Sequence, residues 1–290
     1  MMKRRAKFNI ALVAVVCLLC VALCGSALAD ETGERAAELT ETPVLLDGLL
    51  SMRGYVIGDV TYLSLDSTCA LLGYQSQTQG SSDDTVTVFI ENITISFDRT
   101  EKYMTANGRC FYLPDGYVEI AGSPAVPIEI AAKLFSLSLS VNPVYGAYDL
   151  GTENEALLAP AGAYYNEEDL YWLSRLITYE SGNQPFEGQI GVGNVVMNRV
   201  ASDKFPDTVK KVIFQQGQFA PVERKAIFLD PYESGVVAAK IALEGCKTVG
   251  DALYFHTGDY GSDIAERNKD FVTKIGGHNF FVSIEKLKGM

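Results

Sequence analysis

Residues 167–200, EEDLYWLSRLITYESGNQPFEGQIGVGNVVMNRV, decide the fold of the second half of this chain. Apolar residues recur here with the 3.6-residue period of a helix, and the turn residues 182–185 divide the stretch in two. The pattern therefore predicts helices over 167–181 and 185–200. Three glycines of the second helix are expected to let it pack closely on the first: Gly188, Gly191 and Gly193.

Helical periodicity continues downstream and gives way to β-type runs near the end of the chain. Further helices are predicted over 208–215 and 231–244. Strands are predicted over 252–256 and 279–283, paired as a hairpin across the loop 257–278. The residues expected to begin the four helices are Asn166, Pro185, Asp207 and Asp230.

The first half of the chain, from 43 to 151, consists of short β-type runs separated by turn residues. It contains an apparent internal repeat, because 61–65 followed by 69–72 matches 124–128 followed by 132–135. Each copy reads as a strand, a short helix and a second strand.

The predicted fold class is therefore α+β. A mainly-β repeat module of two β-α-β units spans 43–151, and a linker spans 152–165. A mostly helical domain with a small β-hairpin spans 166–285.

The N-terminus has the three parts of a secretory signal peptide over residues 1–29. Four basic residues precede an apolar run, and Ala27-Leu28-Ala29 offers a cleavage site. The alternative is an uncleaved anchor, because the run 8–29 is long enough to span a bilayer. Either interpretation predicts an extracytoplasmic protein, and only the second predicts contact with a membrane.

The formal net charge of −12 excludes some partners, and the cysteines limit the chemistry. An acidic chain repels phosphodiester polymers, so nucleic acid is not an expected partner. Cys69, Cys110 and Cys246 follow the signal segment, either with a Cys69–Cys110 bridge or as three buried thiols. Their spacing does not suit a thiolate zinc site, and no metal or cofactor is expected.

Glu180 is the candidate catalytic residue. On a helical wheel its side chain falls within the apolar arc of helix 167–181, so it should face the core or a cleft. Burial favours the neutral carboxylic acid, and a neutral acid near pH 6–7 can protonate a glycosidic oxygen. Alternatively, Glu180 points past the helix end into water or pairs with Arg199.

Residues 176–200 resemble the SleB-type cell wall hydrolase family, which includes spore cortex-lytic enzymes. Four further motifs continue the resemblance in the family's order: KFPDTV at 204–209, GQF at 217–219, ALYF at 252–255 and IGGH at 275–278. The resemblance implies a lysozyme-like α+β fold. It also implies that Glu180 is the acid that cleaves peptidoglycan glycan strands between N-acetylmuramic acid and N-acetylglucosamine.

Gln184 departs from the family's pattern, which commonly has Arg-Gly-Glu-Pro where this chain has Gly-Asn-Gln-Pro. Glutamine cannot ionise, so a base at this position is lost. The Glu180-Ser181 pair resembles that of lytic transglycosylases, in which one carboxyl group suffices and the product carries a 1,6-anhydro end. Hydrolysis normally needs a second carboxylate. The candidates for that carboxylate are Glu187, Glu223, Asp259 and Glu266.

The residues expected to contact substrate are Ser181, Asn198, Gln218, Phe219, Tyr254 and His278. For three of them the sequence leaves a structural alternative open. Phe219 and Tyr254 can equally pack in the core, and His278 can hydrogen-bond a neighbouring loop.

The first half resembles the copper amine oxidase N-terminal-like domain, through 60–65, 103–108 and 125–128. Copper(II) sites of that kind need imidazoles, and the two histidines of the chain, His256 and His278, both lie outside this region. We expect a non-catalytic module that presents the enzyme or associates with the wall. The alternative function for the whole chain is a wall-binding protein with a degenerate hydrolase domain. A redox or metal enzyme is disfavoured.

Overall fold

The structure is a computed structural model that describes residues 39–80, 84–152, 156–257 and 269–283. The predicted signal peptide, Asp259 and Glu266 lie outside these residues. Within the described ranges, none of the helices has both the length and the apolar character needed to cross a bilayer.

The first half folds into two β-sheets and two short helices. Its elements are β1 Thr40–Leu46, β2 Leu49–Ile57, β3 Val60–Ser64, α1 Leu65–Leu72, β4 Ser76–Gly80, β5 Thr85–Ile90, β6 Ile93–Asp98, β7 Tyr103–Ala106, β8 Arg109–Tyr112, β9 Val118–Ile120, β10 Ser123–Pro127, α2 Ile128–Leu134, β11 Ser138–Val141 and β12 Tyr148–Gly151.

One sheet has seven strands in the order β11-β12-β1-β2-β3-β10-β9, and the other has five in the order β4-β5-β6-β7-β8. The five-stranded sheet alternates buried with more exposed residues, as in β5 and β6, where every second residue is buried. The inward faces and the two helices share one apolar core.

The two segments of the predicted repeat each form a strand, a helix and a strand: β3-α1-β4 and β10-α2-β11. β3 and β10 pair antiparallel, so the two helices start from neighbouring strands. The second strands then diverge. β4 begins the five-stranded sheet, whereas β11 ends in the seven-stranded one. Sequence alone did not indicate this division.

The second half is mainly helical. Its elements are α3 Ala161–Tyr164, α4 Glu167–Ser181, α5 Phe186–Val200, α6 Val209–Ile213, α7 Ala220–Glu223, a 3-10 turn at Ala226–Phe228, α8 Glu233–Leu243, β13 Tyr254–Thr257, β14 Phe271–Ile275 and β15 His278–Phe281. The four predicted helices correspond to α4, α5, α6 and α8. The short α3 and α7 were not predicted.

Two of the predicted helix starts are wrong. Asn166 caps α4 as expected, because its side chain accepts the N–H of Asp169. Thr208, rather than Asp207, caps α6, and Asp207 instead pairs with Lys211. Asp230 lies outside α8 and accepts Arg175, so a local cap was displaced by a tertiary contact.

The predicted hairpin is a three-stranded sheet in the order β13-β15-β14. β13 pairs with β15 as expected, with Tyr254 opposite Phe281. β14 lies within the predicted loop and pairs with the other side of β15. Because β14 alternates half-buried and exposed residues, its apolar signal in the sequence is weak.

Glycines let the helices of the second half approach closely, although not all on the face expected. A Cβ on Gly193 would lie 2.8 Å from Ala242 Cβ and 3.0 Å from Ile177 Cδ1, so Gly193 serves the contacts of α5 with α8 and α4. Gly191 packs instead against Phe280 of β15, and Gly188 against Ile275 of β14.

The predicted linker is packed against both halves. Leu158 is buried in the first core. Tyr165 is buried and donates its phenolic O–H to Glu244, at 2.7 Å. Ala161 donates its backbone N–H to the carbonyl of Asn107. The described part of this segment is therefore not a free linker.

A buried ion pair joins the two halves. Arg109 of β8 binds Glu244, just after α8, through two hydrogen bonds of 2.7 and 2.6 Å. The Glu244 side chain is 1% exposed. Lys133 of α2 donates to the backbone carbonyl of Glu244, and its Nζ lies 3.8 Å from the carboxylate. Hydrogen bonds from one cation and one phenol, with a second cation nearby, thus satisfy this carboxylate away from water.

The three cysteines in the described residues are free thiols. Cys69 and Cys110 are buried, and Cys246 is half-buried. Burial raises the pKa of each thiol to about 11. The Cys69–Cys110 bridge is therefore absent from this structure: Cys69 lies in the core of the first half, and Cys110 packs against the helices of the second.

Glu244→Gln should lower the free energy of unfolding by about 3–5 kcal/mol, because it leaves the buried Arg109 guanidinium without its countercharge. Urea denaturation followed by fluorescence of Trp172 measures this change. Glu233→Gln, at an exposed position on α8, is the control and should change stability by about 0.5 kcal/mol or less. A loss below about 1 kcal/mol for Glu244→Gln would contradict the prediction.

Candidate active site

Glu180 lies in the last turn of α4, where the helix emerges from the core. Leu176 and Ile177 in the preceding turn are fully buried, whereas Glu180 is half-buried. Burial raises the pKa of Glu180 to about 7, while the backbone N–H of Ala220 and the positive charge of Arg224 lower it. The carboxyl group therefore exchanges its proton near neutral pH, as an acid catalyst requires.

Arg199 is not the partner of Glu180. Its Nε donates to the carbonyl of Leu253 at 2.7 Å, and its guanidinium packs against the rings of Phe219 and Tyr254. Burial lowers the pKa of Arg199 to about 10. Arg199 and Glu180 form no ion pair in the described part of the chain. The alternative that Glu180 pairs with Arg199 is therefore wrong.

The start of α7 forms one side of the site. Ala220, the first residue of this helix, directs its N–H towards Glu180. Gln218, two residues earlier, is exposed and free to meet a ligand. Phe219 between them is 3% exposed and packs on Phe255. Phe219 is therefore a core residue, not a substrate contact, and it positions its two neighbours.

Gln184 has a structural role in the loop between α4 and α5. Its Oε1 accepts the N–H of Gly277 at 2.8 Å, which ties this loop to the turn between β14 and β15. Its Nε2 donates to Asn183. A neutral amide suits this position because the acceptor and the donor are both used.

Two residues expected to bind substrate donate hydrogen bonds to backbone carbonyls. Ser181 is fully buried, and its hydroxyl donates to the carbonyl of Ile177 one turn back in α4. Asn198 donates to the carbonyls of Gly250 and Ala252, at 2.9 and 3.0 Å, and so holds the end of α5 against the chain before β13. Ser181 therefore makes a local bond within its helix, whereas Asn198 makes a tertiary contact with a segment about 50 residues away.

His278 and Tyr254 belong to the aromatic packing of the three-stranded sheet. His278 is 1% exposed, its ring centroid lies 5.0 Å from that of Phe255, and burial lowers its pKa. It is a neutral core residue, and its buried Nδ1 has no hydrogen-bond partner among the described residues, so the structure shows no bond from Nδ1 to a neighbouring loop. Tyr254 is half-buried and packs on Phe205 at 5.9 Å, which leaves part of its ring accessible.

Of the four candidate second carboxylates, the structure describes two. Glu187 accepts Tyr112 at 2.7 Å and Lys102 at 2.9 Å, both from the first half, and these bonds lower its pKa. It is therefore already engaged by residues of the first half. Glu223 is exposed on α7, the helix whose first N–H faces Glu180. Asp259 and Glu266 lie outside the described residues.

Sequence reasoning missed three residues around Glu180. The first is Arg224, whose positive charge lowers the pKa of Glu180. Tyr179 and Tyr232 pack together with ring centroids 6.1 Å apart. A Cβ on Gly182 would lie 3.3 Å from the ring of Tyr232, which places this pair beside the end of α4. A tyrosine directly before the acid was visible in the sequence, but its partner is distant in the chain.

The described residues contain no group of histidine, cysteine, aspartate and glutamate side chains that could hold a metal ion.

Comparison with known proteins supports the motifs of the second half. Residues 183–281 match the model of the Cell Wall Hydrolase family. The spore cortex-lytic enzyme of Bacillus cereus is 33% identical over 128 residues, which cover 44% of this chain and 49% of that protein. The spore cortex-lytic enzyme of Oceanobacillus iheyensis is 32% identical over 116 residues, covering 40% and 42%. The resemblance to this family is confirmed.

Solved structures also match part of this chain. The catalytic domain of the Bacillus cereus SleB protein is 33% identical and covers 40% of this chain and 91% of that one, with a TM-score of 0.37. The catalytic domain of the germination-specific lytic transglycosylase SleB from Bacillus anthracis covers 42% and 99%, also with a TM-score of 0.37. The chain spans about half the length of the curated relatives it matches. The family match begins after Glu180.

Glu180→Gln should stabilise the protein at high pH. The folded state holds a proton on Glu180 up to about pH 7, whereas the unfolded state releases it near the ordinary value of 4.5. Wild-type stability therefore falls as pH rises between these values. The glutamine variant escapes this loss and should be more stable by about 2–3 kcal/mol at pH 8, with no advantage below about pH 4.5.

Urea denaturation across the pH range measures the difference. The control is Glu168→Gln, because Lys210 lowers the pKa of that exposed carboxyl group and its removal should bring no gain at pH 8. Parallel stability curves for Glu180→Gln and wild type would show that Glu180 carries no raised pKa.

Proposed function

We propose that this chain, which carries a Cell Wall Hydrolase domain over residues 183–281, cleaves peptidoglycan glycan strands between N-acetylmuramic acid and N-acetylglucosamine. The observation that carries the proposal is the half-buried carboxyl group of Glu180 at the end of α4, with its pKa raised to about 7. The relatives are named spore cortex-lytic enzymes, which agrees with this substrate.

Glu180 acts first as an acid and then as a base. It donates its proton to the glycosidic oxygen, and the bond from that oxygen to C1 of N-acetylmuramic acid breaks. The 6-hydroxyl of the same sugar attacks C1, and the Glu180 carboxylate takes the hydroxyl proton. The products are a 1,6-anhydro end and a free 4-hydroxyl, and the enzyme regains its starting protonation state.

Transglycosylation is the outcome that the site favours. Hydrolysis needs a second carboxylate to activate water. Gln184 is neutral, and Glu187 is already bound to Lys102 and Tyr112. Glu223 is the described carboxylate nearest in sequence to Ala220 and Arg224, so it is the residue on which a hydrolytic mechanism would depend. Two residues are proposed to contact the glycan: Gln218, which is exposed, and Tyr254, which is half-buried.

The first half is proposed to be a non-catalytic module of the copper amine oxidase N-terminal-like type, built as a repeat of two β-α-β units. The helical half is proposed to have a lysozyme-like arrangement. The protein is placed outside the cytoplasm and associated with the cell wall, because its substrate is there. Its role is wall remodelling or lysis of the spore cortex.

Digestion of purified peptidoglycan, followed by mass analysis of the released muropeptides, tests the function. Wild type should release fragments with 1,6-anhydro ends. Glu180→Gln should release about 10²–10⁴-fold less, since a general acid contributes roughly that factor. Glu223→Gln is the matched control and should act like wild type.

Other outcomes decide between the alternatives. Reducing ends, lost in Glu223→Gln, would establish hydrolysis. Equal release by wild type and Glu180→Gln would remove Glu180 from the mechanism. Binding to the wall without release by either protein would establish the alternative of a degenerate, wall-binding domain.

The pH profile of kcat/KM should fall on its basic side near pH 7, where Glu180 loses its proton. Arg224 lowers the pKa of Glu180, so Arg224→Gln should move this basic limb to higher pH. Lys225→Gln removes an equal charge at the next residue and serves as the control, with the limb unchanged. A shift to lower pH in Arg224→Gln would refute the electrostatic account.

A further inference from the structure

A cavity of about 1050 Å³ lies between the two halves of the protein and takes its walls from both. The first half contributes Phe111 and Tyr112 of β8 and Ile130 of α2. The second half contributes Pro185 before α5 and Ile275 of β14. The walls are largely apolar, with charged side chains among them, which is the composition of many ligand pockets.

The walls of this cavity are held in place by buried polar contacts. Glu244 lines the cavity and binds Arg109 and Tyr165. Glu187 lines it from the other side and binds Tyr112 and Lys102. Each of these contacts joins the first half, or the segment that follows it, to the second. The cavity is therefore preformed, and a ligand would not have to close it.

Two of the charged residues in the cavity stand apart from these contacts. Lys133 and Lys247 are paired with Glu244 and Asp251. Lys274 of β14 and Glu129 of α2 are both exposed and form no ion pair within the described parts of the chain. Among the described residues, the cavity thus has one unpaired positive charge from the second half, Lys274, and one unpaired negative charge from the first half, Glu129.

The cavity lies close to the site of Glu180 along the chain. Pro185, at its edge, follows Glu180 by five residues, which span at most about 18 Å. Gly276 lies at the same edge, and a Cβ on it would lie 2.6 Å from Pro185 Cδ. The loop that ends the catalytic helix and the turn of the β-sheet therefore form part of the cavity wall.

We propose that this cavity binds a peptide stem of the peptidoglycan strand whose glycan lies at Glu180. This inference rests on the proposed function. The stems are short peptides attached to N-acetylmuramic acid, with free carboxyl and amino groups that match Lys274 and Glu129. A stem of about five residues, fully extended, reaches about 18 Å, the same limit as the chain from Glu180 to Pro185.

The proposal gives the first half of the chain a direct part in substrate selection. Lys274 supplies the charge for a stem carboxylate, and the apolar walls hold the stem's aliphatic side chains. Because the chain as a whole is acidic, a single unpaired lysine at the wall of a largely apolar cavity is a more selective anchor than general attraction to the cell wall.

The first experiment compares two substrates for the full chain: glycan strands with intact stems, and the same strands after an amidase has removed the stems. Lys274→Glu reverses the anchoring charge, and Val60→Trp fills the cavity from β3. Each variant should raise KM on stem-bearing strands about tenfold and leave cleavage of stem-free strands unchanged. Lys269→Glu, an exposed lysine outside the cavity, is the control and should match wild type.

Equal effects of Lys274→Glu on both kinds of strand, or an effect on neither, would overturn the proposal. Circular dichroism and the melting temperature establish that Val60→Trp is folded. If Val60→Trp is unfolded, the test rests on Lys274→Glu alone, because a change of surface charge leaves the core intact.

A second experiment does not depend on catalysis. Cys246 lines the cavity and is half-buried, so alkylation of its thiol reports occupancy. A synthetic stem pentapeptide with free ends should slow alkylation in Glu180→Gln at least threefold, as read by mass spectrometry of the peptide that contains Cys246. Lys274→Glu should abolish this protection.

The two experiments separate this inference from the proposed function. Protection of Cys246 without cleavage of any strand would support the cavity and sink the catalytic proposal. Cleavage by wild type without protection of Cys246, and with no preference for stem-bearing strands, would sink the cavity proposal and leave catalysis standing.

Discussion

The buried carboxylate of Glu244 is the constraint on which the arrangement of this protein depends. A glutamate with a side chain 1% exposed is tolerated only when its charge is fully compensated. The compensation comes from Arg109 of one half and Tyr165 between the halves, with Lys133 nearby. Satisfying one carboxylate therefore holds β8, α2 and the end of α8 together, and the cavity between the halves follows from that arrangement.

Glu180 shows the opposite treatment of the same side chain. It is half-buried, it has no ion-pair partner among the described residues, and its pKa is raised to about 7. Glu244 is surrounded by cations and holds structure, whereas Glu180 is left largely uncompensated and can exchange a proton. The environment, not the residue type, assigns one glutamate to stability and the other to chemistry.

The helical half could be predicted closely, because its signals are local. The periodicity of 167–200 located α4 and α5, and the cap at Asn166 is a contact over three residues. The same wheel placed Glu180 on a partly buried face. Two errors arose where distant chain segments compete: Asp230 contacts Arg175 instead of capping its helix, and Phe219 enters the core beside Phe255. The third error is local, because the Ser181 hydroxyl bonds back to its own helix.

The sequence by itself determined the main helices of the second half and placed the candidate acid, Glu180, near the end of the first of them, because periodicity and short motifs act within a few residues. Only the tertiary structure decided how the first half divides into two sheets, that β14 joins β13 and β15, and that 156–165 is packed rather than free. It also decided which glutamates are compensated. These outcomes depend on contacts between residues that lie tens to more than a hundred positions apart, such as Arg109 and Glu244. Such contacts leave no local pattern in the sequence from which they could be predicted.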